Sequence, residues 1–123
     1  MTKVLVIDDD LDVQEIIKTV LETEDFEVTG CFNAIEGIRT ALKNPPDIIL
    51  LDVMMAGTDG FEACRAFKAK EITKNIPIVM ISAKIEPRSQ KLAKELGASS
   101  YITKPFDPLT LGETLLRVIE NNK

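Results

Sequence analysis

The sequence of 123 residues has no histidine, no tryptophan and only two cysteines. Without histidine, a histidine-based zinc site, a Ser-His-Asp triad and a histidine general base are all excluded. Cys31 and Cys64 lie far apart in apolar patterns without metal-ligand spacing, so we interpret both as reduced core thiols. No apolar run approaches the roughly 20 residues that a membrane-spanning helix needs. An aspartate already stands at position 8, which predicts that no signal peptide is present and that the chain is cytoplasmic.

The chain has no excess of basic charge, since 20 acidic residues outnumber 15 basic ones and the net charge is −5. This argues against a protein that binds nucleic acid directly through its phosphates, because such proteins need a basic face. A content of 45% hydrophobic and 28% charged residues is typical of an ordinary globular protein. The length predicts one domain over residues 1–123.

Short apolar runs rich in Val and Ile alternate with segments of helical periodicity. Near-continuous apolarity in the short runs predicts parallel strands that are covered on both faces. We therefore predict one α/β domain, a doubly wound sheet of five β-α units in the common strand order 2-1-3-4-5, with helices on both faces. The predicted strands are Val4–Ile7, Phe26–Phe32, Asp47–Asp52, Ile76–Ser82 and Ser100–Thr103.

Polar side chains follow four of the five predicted strands at the point where each strand ends. The stretch VLVIDDDLD places Asp8 and Asp9 after the first strand, and Asp52 ends the third. Ser82 ends the fourth strand, and Lys104 follows the fifth. Each alone has an ordinary interpretation, such as a helix cap, a turn residue or a surface lysine. Together they fall at the carboxyl edge of the sheet, where such folds bind ligands at the reversal of strand order.

The predicted acidic cluster needs a compensating charge. Two carboxylates about 4 Å apart repel by roughly 4 kcal/mol at an effective dielectric of about 20. Three such groups either bind protons or hold a cation. Oxygen ligands alone favour a hard divalent ion such as Mg²⁺, which commonly combines one or two carboxylates with phosphate oxygens. The pattern is therefore typical of phosphoryl transfer, in which the metal offsets negative charge.

Four motifs, VIDDD, LLDVMMAGTDGFE, PIVMISA and YITKPF, resemble those of response-regulator receiver domains of two-component signalling, the chemotaxis regulators among them. The resemblance runs from about Lys3 to the last helix. It implies a flavodoxin-like fold and a regulatory phosphoacceptor, which catalyses only its own phosphoryl transfer and dephosphorylation. We expect a receiver domain over residues 1–123, which hold no output domain, so the chain is either a stand-alone receiver or part of a longer regulator.

The resemblance also implies roles for the acidic residues. Asp52 would accept the phosphoryl group from a phosphohistidine of a histidine kinase or phosphotransfer protein. Asp8 and Asp9 would hold Mg²⁺ together with Asp52, and the backbone carbonyl of Met54 would complete the protein ligands.

Further roles follow for the later strands. Lys104 would pair with a phosphate oxygen, Ser82 would bond another, and Tyr101 matches an aromatic switch position. The Lys104–Pro105 peptide bond matches one that is usually cis in the family. The signal would pass to a downstream protein through the face formed by the fourth helix, fifth strand and fifth helix. We expect a monomer or a phosphorylation-dependent dimer.

The loop after the third strand departs from the family pattern at two positions. Ala56 replaces a usual proline and Thr58 replaces a common methionine. We expect these changes to make the loop freer without touching the chemistry.

Two other functions fit parts of the pattern. A small Mg²⁺-dependent phosphatase of the haloacid-dehalogenase type also has an Asp-x-Asp after an apolar strand, here Asp8-x-Asp10, with a later serine and lysine. Against it, Asp107 stands alone after Lys104 where an acidic pair would bind metal, and Asp52 has no role. A binding module that keeps the fold without using phosphate is disfavoured by the complete set of acids, serine and lysine.

Overall fold

The computed structural model describes residues 1–123, except the side chain of Thr58. Five parallel strands form one sheet, and a short two-stranded hairpin lies beside it. In chain order the elements are β1 (Thr2–Ile7), α1 (Leu11–Glu22), β2 (Phe26–Cys31), α2 (Ala34–Lys43), β3 (Ile48–Asp52), β4 (Met54–Met55), β5 (Thr58–Asp59), α3 (Gly60–Lys68), β6 (Ile78–Ser82), α4 (Pro87–Glu95), β7 (Ser100–Thr103) and α5 (Pro108–Asn121).

The sheet has the order β2-β1-β3-β6-β7, which confirms the predicted order 2-1-3-4-5 of a doubly wound fold. The order reverses between β1 and β3, which pair in parallel with Ile7 opposite Leu51. Next to them, β3 pairs with β6 so that Asp52 lies opposite Ile81. The carboxyl ends of β1, β3 and β6 are therefore neighbours, and side chains that follow these strands lie close together.

Helices cover both faces of the sheet because its central strands are apolar on both sides. Every residue of β3 and β6 is buried. On one face, alternate strand residues such as Val6 and Leu50 pack with Ile17 and Leu21 of α1 and with α5. On the other face, their neighbours pack with α2, α3 and α4. Both cysteines are buried and free, as the apolar patterns predict.

Aspartates begin three of the helices that leave the carboxyl edge. The side chain of Asp10 accepts hydrogen bonds from the amides of Asp12 and Val13, and Asp59 and Asp107 cap α3 and α5 in the same way. Such an N-cap contributes about 1 kcal/mol to helix stability. Asp10 therefore has the helix-capping role that an aspartate before a helix commonly has.

The element boundaries differ from the sequence-based ones in a few places. β3 begins at Ile48 and β6 at Ile78, one residue after Pro77, which lacks the amide that a strand interior needs. The β4–β5 hairpin was not predicted. The prediction about Thr58 concerns a side chain outside the described residues. Among the described helices, none has the length and apolar character needed to cross a bilayer.

Candidate functional site

Three carboxylates meet at the carboxyl edge of the sheet. Asp8 follows β1, Asp9 comes next, and Asp52 is the last residue of β3. Ligand oxygens of the three lie within 4.8 Å of one another. Asp8 and Asp52 are buried, with exposed fractions of 2% and 4%, whereas Asp9 is exposed. The structure thus brings together the three acids that the sequence placed at strand ends.

Lys104 is the cation of this cluster. Its Nζ lies 3.1 Å from Asp8 Oδ2 and 3.5 Å from Asp52 Oδ2. The lysine follows β7, and its amide donates to the carbonyl of Ser82, so the ends of β6 and β7 are joined. The Lys104–Pro105 peptide bond is cis. One ammonium group against three carboxylates leaves the cluster with an excess of negative charge.

Burial and the neighbouring negative charge make Asp52 a weaker acid than usual. Burial, and next the charge of Asp8, raise the pKa of the Asp52 carboxyl from 3.8 to about 6. The Met54 amide and Lys104 act in the opposite direction. Burial of Lys104 would lower its pKa, but its hydrogen bond to Asp8 and the charges of Asp52 and Asp8 outweigh burial and raise it. Lys104 and the Met54 amide therefore offset only part of the effect that disfavours the ionised form of Asp52, and a further cation would favour that form.

Backbone amides hold one oxygen of each of the three carboxylates. Asp8 Oδ1 accepts from the amide of Asp10 over 2.9 Å, and Asp52 Oδ1 accepts from the amide of Met54 over 3.1 Å. Asp9 Oδ2 accepts from the amide of Ala56 over 2.7 Å. The hydrogen-bond donors to the cluster are N–H groups, and its potential metal ligands are oxygens. This donor set fits a hard cation, so the cluster is a group that could hold a metal ion.

Ser82 and Tyr101 meet through one loop residue. Ser82 is fully buried at the end of β6, and its Oγ accepts from the amide of Lys84 over 3.0 Å. The half-buried ring of Tyr101 in β7 directs its hydroxyl to the carbonyl of Lys84, to which it donates over 2.9 Å. The switch pair inferred from the resemblance is therefore connected through the backbone of the loop between β6 and α4.

Tyr101 also lies at a surface groove. This groove has a volume of about 570 Å³ and runs between α4 and β7. Exposed Lys91 and Lys94 of α4 line it together with Tyr101. A molecule bound in the groove would contact the ring that is tied to the loop after β6.

Sequence reasoning missed Gln14, a buried residue of α1. Its side-chain amide donates to the carbonyls of Val6, Asp8 and Cys31, over 3.1, 3.1 and 2.8 Å. These bonds join the carboxyl ends of β1 and β2, and Asp8 and Asp9 follow β1. A signal was available in the sequence, because Gln14 shares the buried stripe of α1 with Ile17 and Leu21.

Sequence reasoning also missed the contact of Ala56 with the acidic cluster. The expectation that this loop position leaves the chemistry untouched is wrong for its backbone, since the Ala56 amide bonds to Asp9. The loop is folded into the β4–β5 hairpin. A main-chain donor has no side-chain signature, so residue types alone did not reveal it.

Comparison with known proteins gives consistent matches along the chain. A family model described as the response regulator receiver domain matches residues 4–116. The transcriptional regulatory protein ResD of Bacillus subtilis is 40% identical over 117 residues, which cover 95% of this chain and 46% of that protein. The phosphate regulon transcriptional regulatory protein PhoB of Pseudomonas aeruginosa is 38% identical over 94% of this chain and 51% of that protein. The chain thus spans about half the length of these curated relatives.

Solved structures are similar over nearly the whole chain. The chemotaxis protein CheY4 of Vibrio cholerae superimposes with a TM-score of 0.91 at 33% identity, covering 96% of this chain and 98% of that one. A two-component response regulator from Clostridium difficile gives a TM-score of 0.90 at 27% identity, covering 98% and 97%.

Proposed function

Because the chain belongs to the response-regulator receiver domain family of two-component signalling, we propose that Asp52 accepts a phosphoryl group from a phosphohistidine of a histidine kinase or phosphotransfer protein. Receiver domains are phosphoaccepting signalling switches and not classical enzymes. Residues 1–123 would form one such domain. The observation that carries the proposal is the position of Asp52: its buried carboxylate lies 3.5 Å from Lys104 and within 4.8 Å of the ligand oxygens of Asp8 and Asp9.

In the proposed reaction, an Asp52 carboxylate oxygen attacks phosphorus. A phosphorus–oxygen bond forms while the phosphorus–nitrogen bond breaks, and its electron pair leaves with the imidazole nitrogen. The product is an acyl phosphate on Asp52. Nucleophilic attack requires the ionised carboxylate, and Lys104 supports it by lowering the pKa that burial and Asp8 raise.

Mg²⁺ is the cofactor that the oxygen-only donor set fits best. We propose that the carboxylates of Asp8, Asp9 and Asp52 and the backbone carbonyl of Met54 hold it. When bound, Mg²⁺ supplies positive charge that offsets the negative charge of the transferred group. The chain itself contributes the fixed arrangement of the acids, because two of them are buried and all accept backbone amides.

Two further groups would bind the phosphoryl oxygens after transfer. Lys104 already pairs with the Asp52 carboxylate. After transfer, its ammonium group would pair with an oxygen of the phosphoryl group on Asp52. The Ser82 hydroxyl would exchange its bond with the Lys84 amide for a bond to a phosphoryl oxygen. Phosphate stabilises a second conformation only through contacts that improve in it, and these two residues supply such contacts.

We further propose that the output passes through the face of α4, β7 and α5. Withdrawal of the Ser82 hydroxyl would leave the Lys84 amide without its acceptor, and the loop that also binds Tyr101 would shift. The ring of Tyr101 and the groove beside it would change together. A downstream protein, or a second phosphorylated copy of the chain, would read that change.

The phosphoryl transfer is tested by incubation with acetyl phosphate and Mg²⁺, followed by intact-mass measurement. We expect one phosphoryl adduct on the wild-type protein and none on Asp52→Asn or in EDTA. Asp107→Asn is the matched control, because an asparagine also caps α5 and lies outside the cluster. Absence of an adduct with acetyl phosphate and with a cognate kinase would overturn the proposal.

The alternative of a haloacid-dehalogenase-type phosphatase is less well supported. That mechanism would use Asp10 as a catalytic acid two residues after Asp8. Asp10 is instead exposed, and its oxygen is engaged by the amides of Asp12 and Val13 at the start of α1. Turnover of a small phosphomonoester that survives Asp52→Asn would favour this alternative.

A further inference from the structure

The β4–β5 hairpin is built against the backbone of Asp52. Its strands pair Met54 with Asp59, and the Gly60 amide donates to the carbonyl of Val53 over 2.9 Å. A Cβ on Gly60 would collide with the carbonyl of Asp52, so only glycine permits this close approach. The base of the hairpin therefore has a fixed position relative to the end of β3.

Two amides of the hairpin strand and its turn donate to the acidic cluster. The Met54 amide bonds Asp52 Oδ1 over 3.1 Å, and the Ala56 amide bonds Asp9 Oδ2 over 2.7 Å. The second contact joins residues that are 47 positions apart. Its short length is typical of a hydrogen bond to a charged acceptor. The hairpin thus connects β3 with the end of β1 across the cluster.

Asp9 depends on this contact more than the other acids do. Asp8 and Asp52 are buried and both bond Lys104. Asp9 is exposed, and its carboxylate is held through the Ala56 amide. An exposed side chain loses rotamer freedom when it binds a ligand, so a donor that orders it beforehand favours binding.

We propose that the Ala56 amide is a positioning donor that orders Asp9 for cation binding and so links the hairpin to cation occupancy. The inference rests on the proposed role of Asp9 as a metal ligand. A carboxylate has two oxygens, so Asp9 can accept the Ala56 amide at one oxygen and offer the other to a cation. Hydrogen-bond partners of metal ligands commonly change metal affinity by 10–100-fold.

Linkage makes the effect reciprocal. If the Ala56 amide increases cation affinity by some factor, cation binding stabilises the amide-bonded hairpin by the same factor. Cation binding at the acidic cluster would then change the stability of the exposed hairpin at the edge of the sheet. A cation would tighten the hairpin before any phosphoryl group arrives.

The first test removes the donor without changing an acidic residue. Ala56→Pro eliminates the amide hydrogen, and Met55 before it is in an extended strand, as a residue preceding proline should be. We measure the Mg²⁺ dissociation constant by calorimetry, with no phosphoryl donor present. We expect Ala56→Pro to bind Mg²⁺ about tenfold more weakly than wild type. Ala56→Ser retains the donor and should recover most of that loss.

Each outcome of this titration is decisive. Equal or tighter binding by Ala56→Pro overturns the inference, and so does an equal loss in Ala56→Ser, because the amide would then not be the cause. Asp9→Asn separates the two proposals. If Asp9→Asn weakens Mg²⁺ binding and Ala56→Pro does not, only the hairpin inference fails. If wild type binds no Mg²⁺, the proposed metal site fails as well.

A second test needs no substitution at the hairpin. Hydrogen exchange of the Ala56 amide is followed by nuclear magnetic resonance with and without Mg²⁺. Reciprocal linkage predicts slower exchange at saturating Mg²⁺ in the wild-type protein. Exchange that is unchanged or faster would overturn the inference.

Discussion

The hydroxyl of Tyr101 donates to the carbonyl of Lys84 over 2.9 Å, and the amide of the same lysine donates to Ser82 Oγ over 3.0 Å. Two hydroxyl side chains on neighbouring strands, β6 and β7, thus share one loop residue. Movement of the Ser82 hydroxyl removes the acceptor of the Lys84 amide. The Tyr101 hydroxyl bonds the carbonyl of the same residue, so the proposed switch would reach the ring through this loop.

Tyr101 is the only tyrosine and the chain has no tryptophan, so tyrosine fluorescence reports this one ring. Acetyl phosphate with Mg²⁺ is expected to change that emission in wild type and to leave it unchanged in Asp52→Asn. In Ser82→Ala, the Asp52 adduct should still form while the emission change is reduced. Ser99→Ala, an exposed neighbour near the groove, is the control. A full emission change in Ser82→Ala would contradict the proposed path.

Asp52 is expected to destabilise the metal-free fold at neutral pH. Its pKa is about 6 in the folded protein against 3.8 as the unperturbed value, so the folded state retains a proton that the unfolded state has lost. Stability from this group therefore falls as pH rises from about 4 to about 6, by up to about 3 kcal/mol. Asp52→Asn removes this dependence.

The measurement is urea unfolding of metal-free wild type and Asp52→Asn at pH 4 and pH 7.5. The variant should gain in free energy of unfolding relative to wild type as the pH rises. Asp107→Asn should follow wild type, because it only exchanges one helix cap for another. If the difference in unfolding free energy between wild type and Asp52→Asn does not change with pH, the charged form of Asp52 does not destabilise the fold.

Lys104 is expected to stabilise the fold through Asp8 and Asp52. Lys104→Met leaves two buried carboxylates without their cation and should cost about 2 kcal/mol of unfolding free energy at pH 7.5. The loss should be smaller in an Asp52→Asn background, because one of the two carboxylates is already neutral. A double-mutant cycle by chemical unfolding measures that coupling. Strict additivity would mean that the 3.5 Å contact carries no energy.

Gln14 is expected to stabilise the fold more than an ordinary polar residue of a surface helix does. Gln14→Leu removes an amide that bonds three backbone carbonyls at the ends of β1 and β2, at a cost of about 2 kcal/mol. Lys18→Leu, on the exposed side of the same helix, should change stability by less than about 0.5 kcal/mol. Thermal unfolding of both variants at pH 7.5 gives the comparison. Equal stabilities would mean that water replaces the Gln14 bonds without loss.

Much of the site was predictable because its side chains follow strands. Parallel strands bring their carboxyl ends to one edge, so Asp8, Asp9 and Asp52 could be placed together before any contact was known. Charge then required a cation, and Lys104 supplies one. These inferences needed only residue type and the order of the elements.

The contacts that depend on backbone direction could not be predicted in this way. Helical spacing assigns both Ile16 and Ile17 to the buried side of α1. In the structure Ile16 is 47% exposed, whereas the polar Gln14 is buried. A buried glutamine finds its partners only where strand carbonyls converge. Likewise, the amide of Ala56 has the same chemistry as any other amide, and only the hairpin turn directs it to Asp9.

The connection between Ser82 and Tyr101 uses only the main chain of Lys84. Every amino acid except proline offers the same amide and carbonyl at that position. The link between the two hydroxyls is therefore insensitive to the side chain at position 84. The side chain at position 84, which is half exposed at the rim, can therefore be replaced without removing either hydrogen bond.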